Sequence, residues 1–554
     1  MRAFTAVTLL AVVAVARIAW GATGLANVQT FFVEDVPDIS TPESIAISSP
    51  DGAFVYVAAP SAGIAVFSRD SVSGKLTLAS TVHAADLGPI GSTFRPRGID
   101  IGPGEYTLYV GADSGTSVFV FFRDSLTGAL TLIQEAPSAL SRMRDLVVSP
   151  DGENLYVIDN SNDSLQVFAR DSLSGFLTAG QLLEDDQGGV DGLNGATGIA
   201  ISPDGKHVYV TSSEDKVALF DRDLLTGDLT FVTVYEDTIG DTLTNPNDVV
   251  LSPDGLSVYV APASNQVNQP TVFSRDPMTG LLTFVETGPP FGLVGRHPFT
   301  ATTRALAVSP DGSKVIGATT NTVSIYDRDP VTGGLTFLGG EAQRGERIEM
   351  SPDGVHVYVA SGTSTLGVFR QMSIACSPTP LAGCKVPTPP EHSVVEWKGA
   401  SGVISSKFLW KWLRGEATAL AELGDPVNGT DDLILCAYDQ SASPQPVFHT
   451  VAPAAGICDT KPCWRPRGTT PGSKKLKYKD KDRRPDGLDR LDIKEGADGL
   501  ALLKAKGKSQ FLAIPPLPLT LPLTVQAQST TGTCFEATYG TFIVNNEFQF
   551  KAKQ

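Results

Sequence analysis

The 554-residue chain has 42% hydrophobic and 19% charged residues, too apolar for a disordered chain and too long for one hydrophobic core, so two folded units are expected. Aromatics at only 8%, with 54 Gly and 38 Pro, suit many short strands and tight turns rather than long helices. The formal charge of -17 excludes nucleic acid as a natural partner of the whole molecule.

The chain opens on Arg2 and an apolar run from Ala3 to Ala16, and Ala19-Trp20-Gly21 then offers small residues where a signal peptidase reads. A signal peptide over 1–21 is expected, with Arg17 an unusual charge inside it, and the product is expected in the periplasm or outside the cell. No later stretch reaches the roughly 20 apolar residues that a spanning helix needs, so no transmembrane segment is expected.

From about residue 40 to 370 one unit recurs. Its turn reads SSPDG (48–52), IGPG (101–104) and then SPDG at 149–152, 202–205, 252–255, 309–312 and 351–354. The turn prolines are spaced by 53, 47, 53, 50, 57 and 42 residues, the period of propeller blades. Proline presets φ in this turn and glycine accepts a positive φ, so the motif closes a hairpin. A strand follows as VYV (55–57), LYV (108–110), LYV (155–157), VYV (208–210), VYV (258–260) and VYV (357–359), while copy six has Val315-Ile316-Gly317 there. A third strand ends in Arg-Asp and Ser/Thr-Gly-x-Leu-Thr, as in VFSRDSVSGKLT (66–77) and five relatives. The repeated Arg-Asp is read as a turn clamp whose carboxylate accepts local backbone N–H groups.

Copy seven stops at VFR (368–370), and an orphan segment, VQTFFVED (28–35), precedes copy one. The expectation is a seven-bladed all-β propeller over 28–370 in which 28–35 completes the last blade and removes exposed sheet edges. The pattern SPDG…VYV…VFxRDxxTGxLT resembles the lactonase-type, YVTN-repeat seven-bladed propellers. That resemblance implies either lactone hydrolysis or non-enzymatic binding. In the hydrolases an Arg-His pair often precedes an innermost strand. Here the corresponding places read Pro96-Arg97-Gly98, Met143-Arg144-Asp145 and Thr303-Arg304-Ala305, and Arg296-His297 lies about ten residues too early.

Aligned copies place Glu43, Arg97, Arg144, Thr197, Asn247, Arg304 and Glu346 at the start of the innermost strands, around one mouth of the channel. Arg97, Arg144, Asn247, Arg304, Glu43 and Glu346 are the candidate ligand-binding residues. Converging arginines suit a small anionic or hydroxylated compound; the alternative is that they pair with Glu43, Glu346 and Asp145. Asp100 and Glu349 stand in mid-strand where other copies have Ala or Val. The loops at 184–195 (with Asp185, Asp186 and Asp191) and 235–248 are weak calcium candidates, more simply solvated acidic loops. No other cofactor is expected, and no GxSxG, HExxH, phosphate-loop or dinucleotide fingerprint occurs.

The Pro-rich CSPTPLAGCKVPTPP (376–390) marks a linker over 371–390, and strand-like runs beyond it suggest an antiparallel β-sandwich over 391–554. From residue 376 onward there are 22 Lys and Arg against 18 Asp and Glu; the rest of the chain has 21 against 42. Trp397, Trp410 and Trp412 suit core packing or stacking on sugar. The six cysteines all lie in this part, and their even number suggests disulfides. Close spacing favours Cys376 with Cys384 and Cys458 with Cys463, leaving Cys436 with Cys534. The expected protein is a monomeric exported propeller for binding, with a protein or polysaccharide at its loops as another partner class. The alternatives are a lactonase acting at the channel mouth and an adhesin or envelope-assembly subunit.

Overall fold

The computed structural model describes residues 21–554 apart from 103, 105, 237–241, 264–268, 291–301, 342, 390, 400–405, 441–445, 459–460, 469–473, 482, 484–486, 510–511 and 513. The expected signal, but for Gly21, and the Arg296-His297 pair lie outside the described residues. No helix among the described residues is long and apolar enough to cross a membrane.

The repeat folds as seven four-stranded antiparallel sheets, the blades of a β-propeller. In the first blade the strands are Ser44–Ile47, Phe54–Ala59, Gly63–Arg69 and Leu76–Val82, from the channel outward. The second strand carries the VYV motif and is buried throughout, because blades pack on both its faces. In the turns the serine hydroxyl donates to the aspartate, as from Ser202 to Asp204 at 2.5 Å, and accepts the N–H of His207 at 3.0 Å. Gly205 stands at φ 70°, a conformation that a side chain would strain.

The Arg-Asp motif does two jobs, where the sequence had suggested one local clamp. The aspartate closes its own hairpin: Asp124 accepts the N–H groups of Leu126 and Thr127 at 2.9 and 2.8 Å. The arginine instead reaches the preceding blade. Arg275 Nε donates to the Tyr209 hydroxyl at 3.0 Å, and Tyr209 donates to the Gly280 carbonyl at 2.6 Å. Arg275 also pairs with Asp204, the turn aspartate of the preceding blade, at 3.1 Å. The same Arg–Tyr bond joins Arg123 to Tyr56, Arg170 to Tyr109, Arg222 to Tyr156 and Arg328 to Tyr259, and it closes the ring between Arg69 and Tyr358 at 2.8 Å.

One seam lacks this latch. Blade six has Ile316 in place of the tyrosine, and in blade seven Gln371 takes the arginine's place, donating to the Gly354 carbonyl at 2.8 Å. Apolar packing fills that seam, with Leu25, Ile316, Ile325, Val357 and Phe369 in one cluster. Leu25 comes from strand Gly21–Phe32, which pairs antiparallel with Thr365–Ala375 as the outer strand of blade seven. This strand begins seven residues before the 28–35 segment read from the sequence, and residues 371–375, read as linker, continue its partner.

The C-terminal part packs an eight-stranded sheet against a four-stranded one. Trp397, Trp410, Trp412 and Trp464 are fully buried in its core, so none stacks on a sugar. Arg370, in a position that faces solvent in other blades, forms a buried ion pair with Asp432 of this module. The disulfides are Cys376–Cys436, Cys384–Cys534 and Cys458–Cys463. The expected short 376–384 bridge does not form. The intervening chain runs along the four-stranded sheet, with Leu381 N–H bonded to Gln526 at 3.0 Å, so each of these cysteines meets a different strand.

Tyr209→Phe removes a buried hydroxyl from Arg275 and Gly280, and is expected to lower unfolding stability by about 1–3 kcal/mol in urea titrations. Tyr106→Phe, at a 60% exposed position, should leave it unchanged. His356 accepts from Arg69 at 3.1 Å, and burial, reinforced by Arg69, pushes its pKa down to about 4. Its neutral-state contribution is complete above the unfolded value near 6.5 and is lost as pH falls toward 4. Stability should therefore drop over that window, and His356→Asn should flatten the drop. Asn154 already fills this place in blade three, where it accepts from Arg222 at 2.6 Å.

Candidate functional site: the central channel

The innermost strands start with a β-bulge in four blades. Pairing passes from Pro96 to Gly98, Met143 to Asp145, Ala196 to Gly198 and Thr303 to Ala305, so Arg97, Arg144, Thr197 and Arg304 are the extra residues. A bulge re-aims the side chain it carries, which is why arginines recur at this one position.

Two of the three arginines are neutralised. Arg97 Nε lies 3.0 Å from Glu43, and its Nη1 is 2.5 Å from Asp113. Arg304 lies 3.5 Å from Glu346, which also meets Arg344 at 3.7 Å. Arg144 makes no ion pair or side-chain hydrogen bond among the described residues. Burial lowers its pKa from the ordinary arginine value, Arg97 and Arg347 add to this, and Glu346 and Glu43 oppose it. Arg97, Arg144, Glu43 and Glu346 thus share one neighbourhood. Asn247 and Thr197 serve the backbone instead: Asn247 donates to the Thr303 carbonyl at 2.6 Å, and Thr197 to the Pro246 carbonyl at 2.5 Å.

One residue farther in, the channel is braced. Arg347 of blade seven reaches across to Asp145 of blade three and, at 3.3 Å, to Asp248 of blade five. Asp248 also accepts the Leu306 N–H at 2.9 Å. The position in the repeat was open to reading, since Asp145, Asp248 and Arg347 stand where the other copies have Ser44, Gly98, Gly198 and Ala305. Of the three, only Asp145 was singled out from the sequence; Asp248 and Arg347 went unnoticed. Asp145 meets Arg347 rather than a mouth arginine.

The brace forms one end of a cavity of about 690 Å³ that extends to the opposite, SPDG, end of the channel. Its wall is mostly Ile, Val, Leu and Ala, with Asp100 and Glu349 among them. Asp100 accepts the N–H groups of Ile101 and Val148 at 2.8 and 2.9 Å. Burial raises the Asp100 and Asp248 carboxyls to about 6. Burial, with Asp100 adding repulsion, pushes Glu349 up to about 8, so Glu349 holds a proton at neutral pH. A protonated acid on this wall can donate to a ligand oxygen.

The acidic loop at 184–195 is organised from within. Asp185 accepts the Leu193 N–H at 2.8 Å, and Lys216 lies 2.9 Å from Asp191 and 3.2 Å from Glu214. Asp186 adopts φ 58° in the turn. No three His, Cys, Asp or Glu side chains converge as metal ligands among the described residues. Part of the 235–248 loop lies outside those residues.

Because the folded pKa of Glu349 lies above the unfolded value near 4.3, the stability present below that value is lost as pH rises through 8. Glu349→Gln should match the wild type at pH 4 and exceed it by about 1 kcal/mol or more at pH 9, by chemical denaturation at each pH.

Several solved structures are similar to this chain. A putative 6-phosphogluconolactonase of Bacteroides uniformis is 24% identical, covering 53% of this chain and 83% of its own, with a TM-score of 0.42. A periplasmic gluconolactonase of Pseudomonas aeruginosa is 19% identical over 63% of this chain and 99% of its own, with a TM-score of 0.45. Hydrazine synthase of Kuenenia stuttgartiensis scores 0.45 at 19% identity, over 60% of this chain and 96% of its own. Likenesses this distant carry no argument about activity. No curated protein matches the chain. The sequence model described as "Lactonase, 7-bladed beta-propeller" matches residues 9–144 and 138–294, more than half of the chain, and the chain belongs to that family.

Proposed function

We propose that this protein is an exported binding propeller whose channel mouth takes a small anionic or hydroxylated ligand through Arg144. The observation that carries this reading is the charge balance. Arg97 and Arg304 have carboxylate partners, and Arg144 has none among the described residues. A carboxylate or phosphate would complete the set with charge-assisted hydrogen bonds. Three disulfides support an oxidising compartment.

A second reading, lactone hydrolysis, is favoured by Glu349 and Asp100 on the cavity wall, where a protonated and an ionised carboxyl could act as acid and base. The Arg347 brace stands between those acids and the arginine mouth, which weighs against one combined site. Calorimetry with gluconate, 6-phosphogluconate and glucono-δ-lactone, on the wild type and Arg144→Ala, tests both. Binding of the acids should weaken roughly 10- to 100-fold in the variant, with no turnover of the lactone. Unchanged affinity would sink the mouth as the site, and catalysed ring opening abolished by Glu349→Gln would establish the second reading.

A further inference from the structure

The eight-stranded sheet of the C-terminal module has one buried face and one cationic one. Along Ser406–Gly415 the inward residues Phe408, Trp410 and Trp412 are buried, and the outward ones begin with Lys407, Leu409 and Lys411. The next strand, Ala501–Ser509, turns Leu503 and Ala505 inward and Lys504, Lys506 and Lys508 outward. Register sets these cations side by side: Lys508 faces Lys407, Lys407 faces Lys398, and Lys504 faces Lys411. Neighbouring strands lie about 4.8 Å apart, and like charges directly opposite destabilise a sheet. Glu396 offsets part of this, 2.9 Å from Lys398 and 3.7 Å from Lys551. A hollow of about 300 Å³ opens over Leu409, where Lys398, Lys407, Lys506 and Lys508 outnumber the two acids on its wall, Glu396 and Asp489.

A second observation lies at the end of the lysine row. Gly399, next to Lys398, donates its N–H to the Phe548 carbonyl at 2.8 Å. Phe548 sits in the turn before strand Gln549–Lys553, and Phe542 and Ile543 lead into Val544–Asn546, its hairpin partner at the edge of the sheet. These three are 64%, 53% and 60% exposed. A partner that offers only negative charge has no use for them. The outward positions named here carry no aromatic platform on which bases could stack, which weighs against single-stranded nucleic acid.

We propose that this face docks on an anionic phospholipid surface, with the lysines against the headgroups and Phe542, Ile543 and Phe548 in the interfacial layer. Basic residues near such a surface and buried apolar side chains each add to peripheral binding. The mode needs no spanning helix.

Sedimentation of the full chain with vesicles of phosphatidylglycerol and phosphatidylcholine, against phosphatidylcholine alone, tests it. Binding should need the anionic lipid and fall steeply with salt. The exposed triple variant Lys407→Gln/Lys506→Gln/Lys508→Gln should weaken it roughly a hundredfold. Phe542→Ser/Phe548→Ser should weaken it at every salt concentration, with the far-ultraviolet spectrum and melting curve of both variants unchanged. Equal binding to both vesicles, or none, overturns the proposal. So does tight binding of soluble alginate that the phenylalanine variant leaves intact, which would mark a polysaccharide site. Self-association that the lysine variant abolishes, without vesicle binding, would also overturn it.

Discussion

The fold depends on a hydrogen-bonded latch between blades. Each VYV tyrosine accepts from an arginine of the next blade and donates to a glycine carbonyl of that blade's hairpin, as Tyr209 does with Arg275 and Gly280. Both partners are buried, so neither can turn to water if the other is lost, and a broken latch leaves a guanidinium unsatisfied. The latch also requires glycine in the hairpin. A Cβ at Gly280 would stand 2.3 Å from the His207 ring, at a backbone φ of 70°. The conservation of motif from copy to copy follows from one tertiary contact made six times.

The exceptional seam explains how the two parts of the chain are joined. Where Ile316 and Gln371 replace the latch residues, an apolar cluster including Leu25 takes over. Beside it, Arg370 meets Asp432, whose carboxylate also accepts the Ala454 N–H at 2.7 Å. The Cys376–Cys436 bridge and a cluster of Ala26, Met372, Ile434, Tyr438 and Val451 lie at the same place. The N-terminal strand and the C-terminal module thus both gather at the propeller's one unlatched seam.

Much of this was legible in the sequence because repetition converts position into geometry. The SPDG spacing located the innermost strands, and counting back from each proline brought the mouth residues into one frame. What the repeat could not reveal is contact between units. Arg275 and Tyr209 are 66 residues apart, and nothing local shows that the arginine leaves its own hairpin. The Arg347 brace is a chord across the ring, set by the channel's width. The cysteines misled in the opposite sense, since nearness along the chain was taken for nearness in space, while Cys384 lies against a strand 150 residues away. The lysine face escaped notice because its residues alternate with core residues over several strands and form no run.

The channel is divided, and the account rests on that division: Arg144 on one side of the Arg347 brace, the cavity with Glu349 and Asp100 on the other. A crystal structure of the protein grown with gluconate tests this most directly. The account predicts the ligand's carboxylate on the Arg144 guanidinium, with the Arg347 contacts to Asp145 and Asp248 intact. Gluconate lodged in the cavity against Glu349 with Arg144 vacant would contradict it.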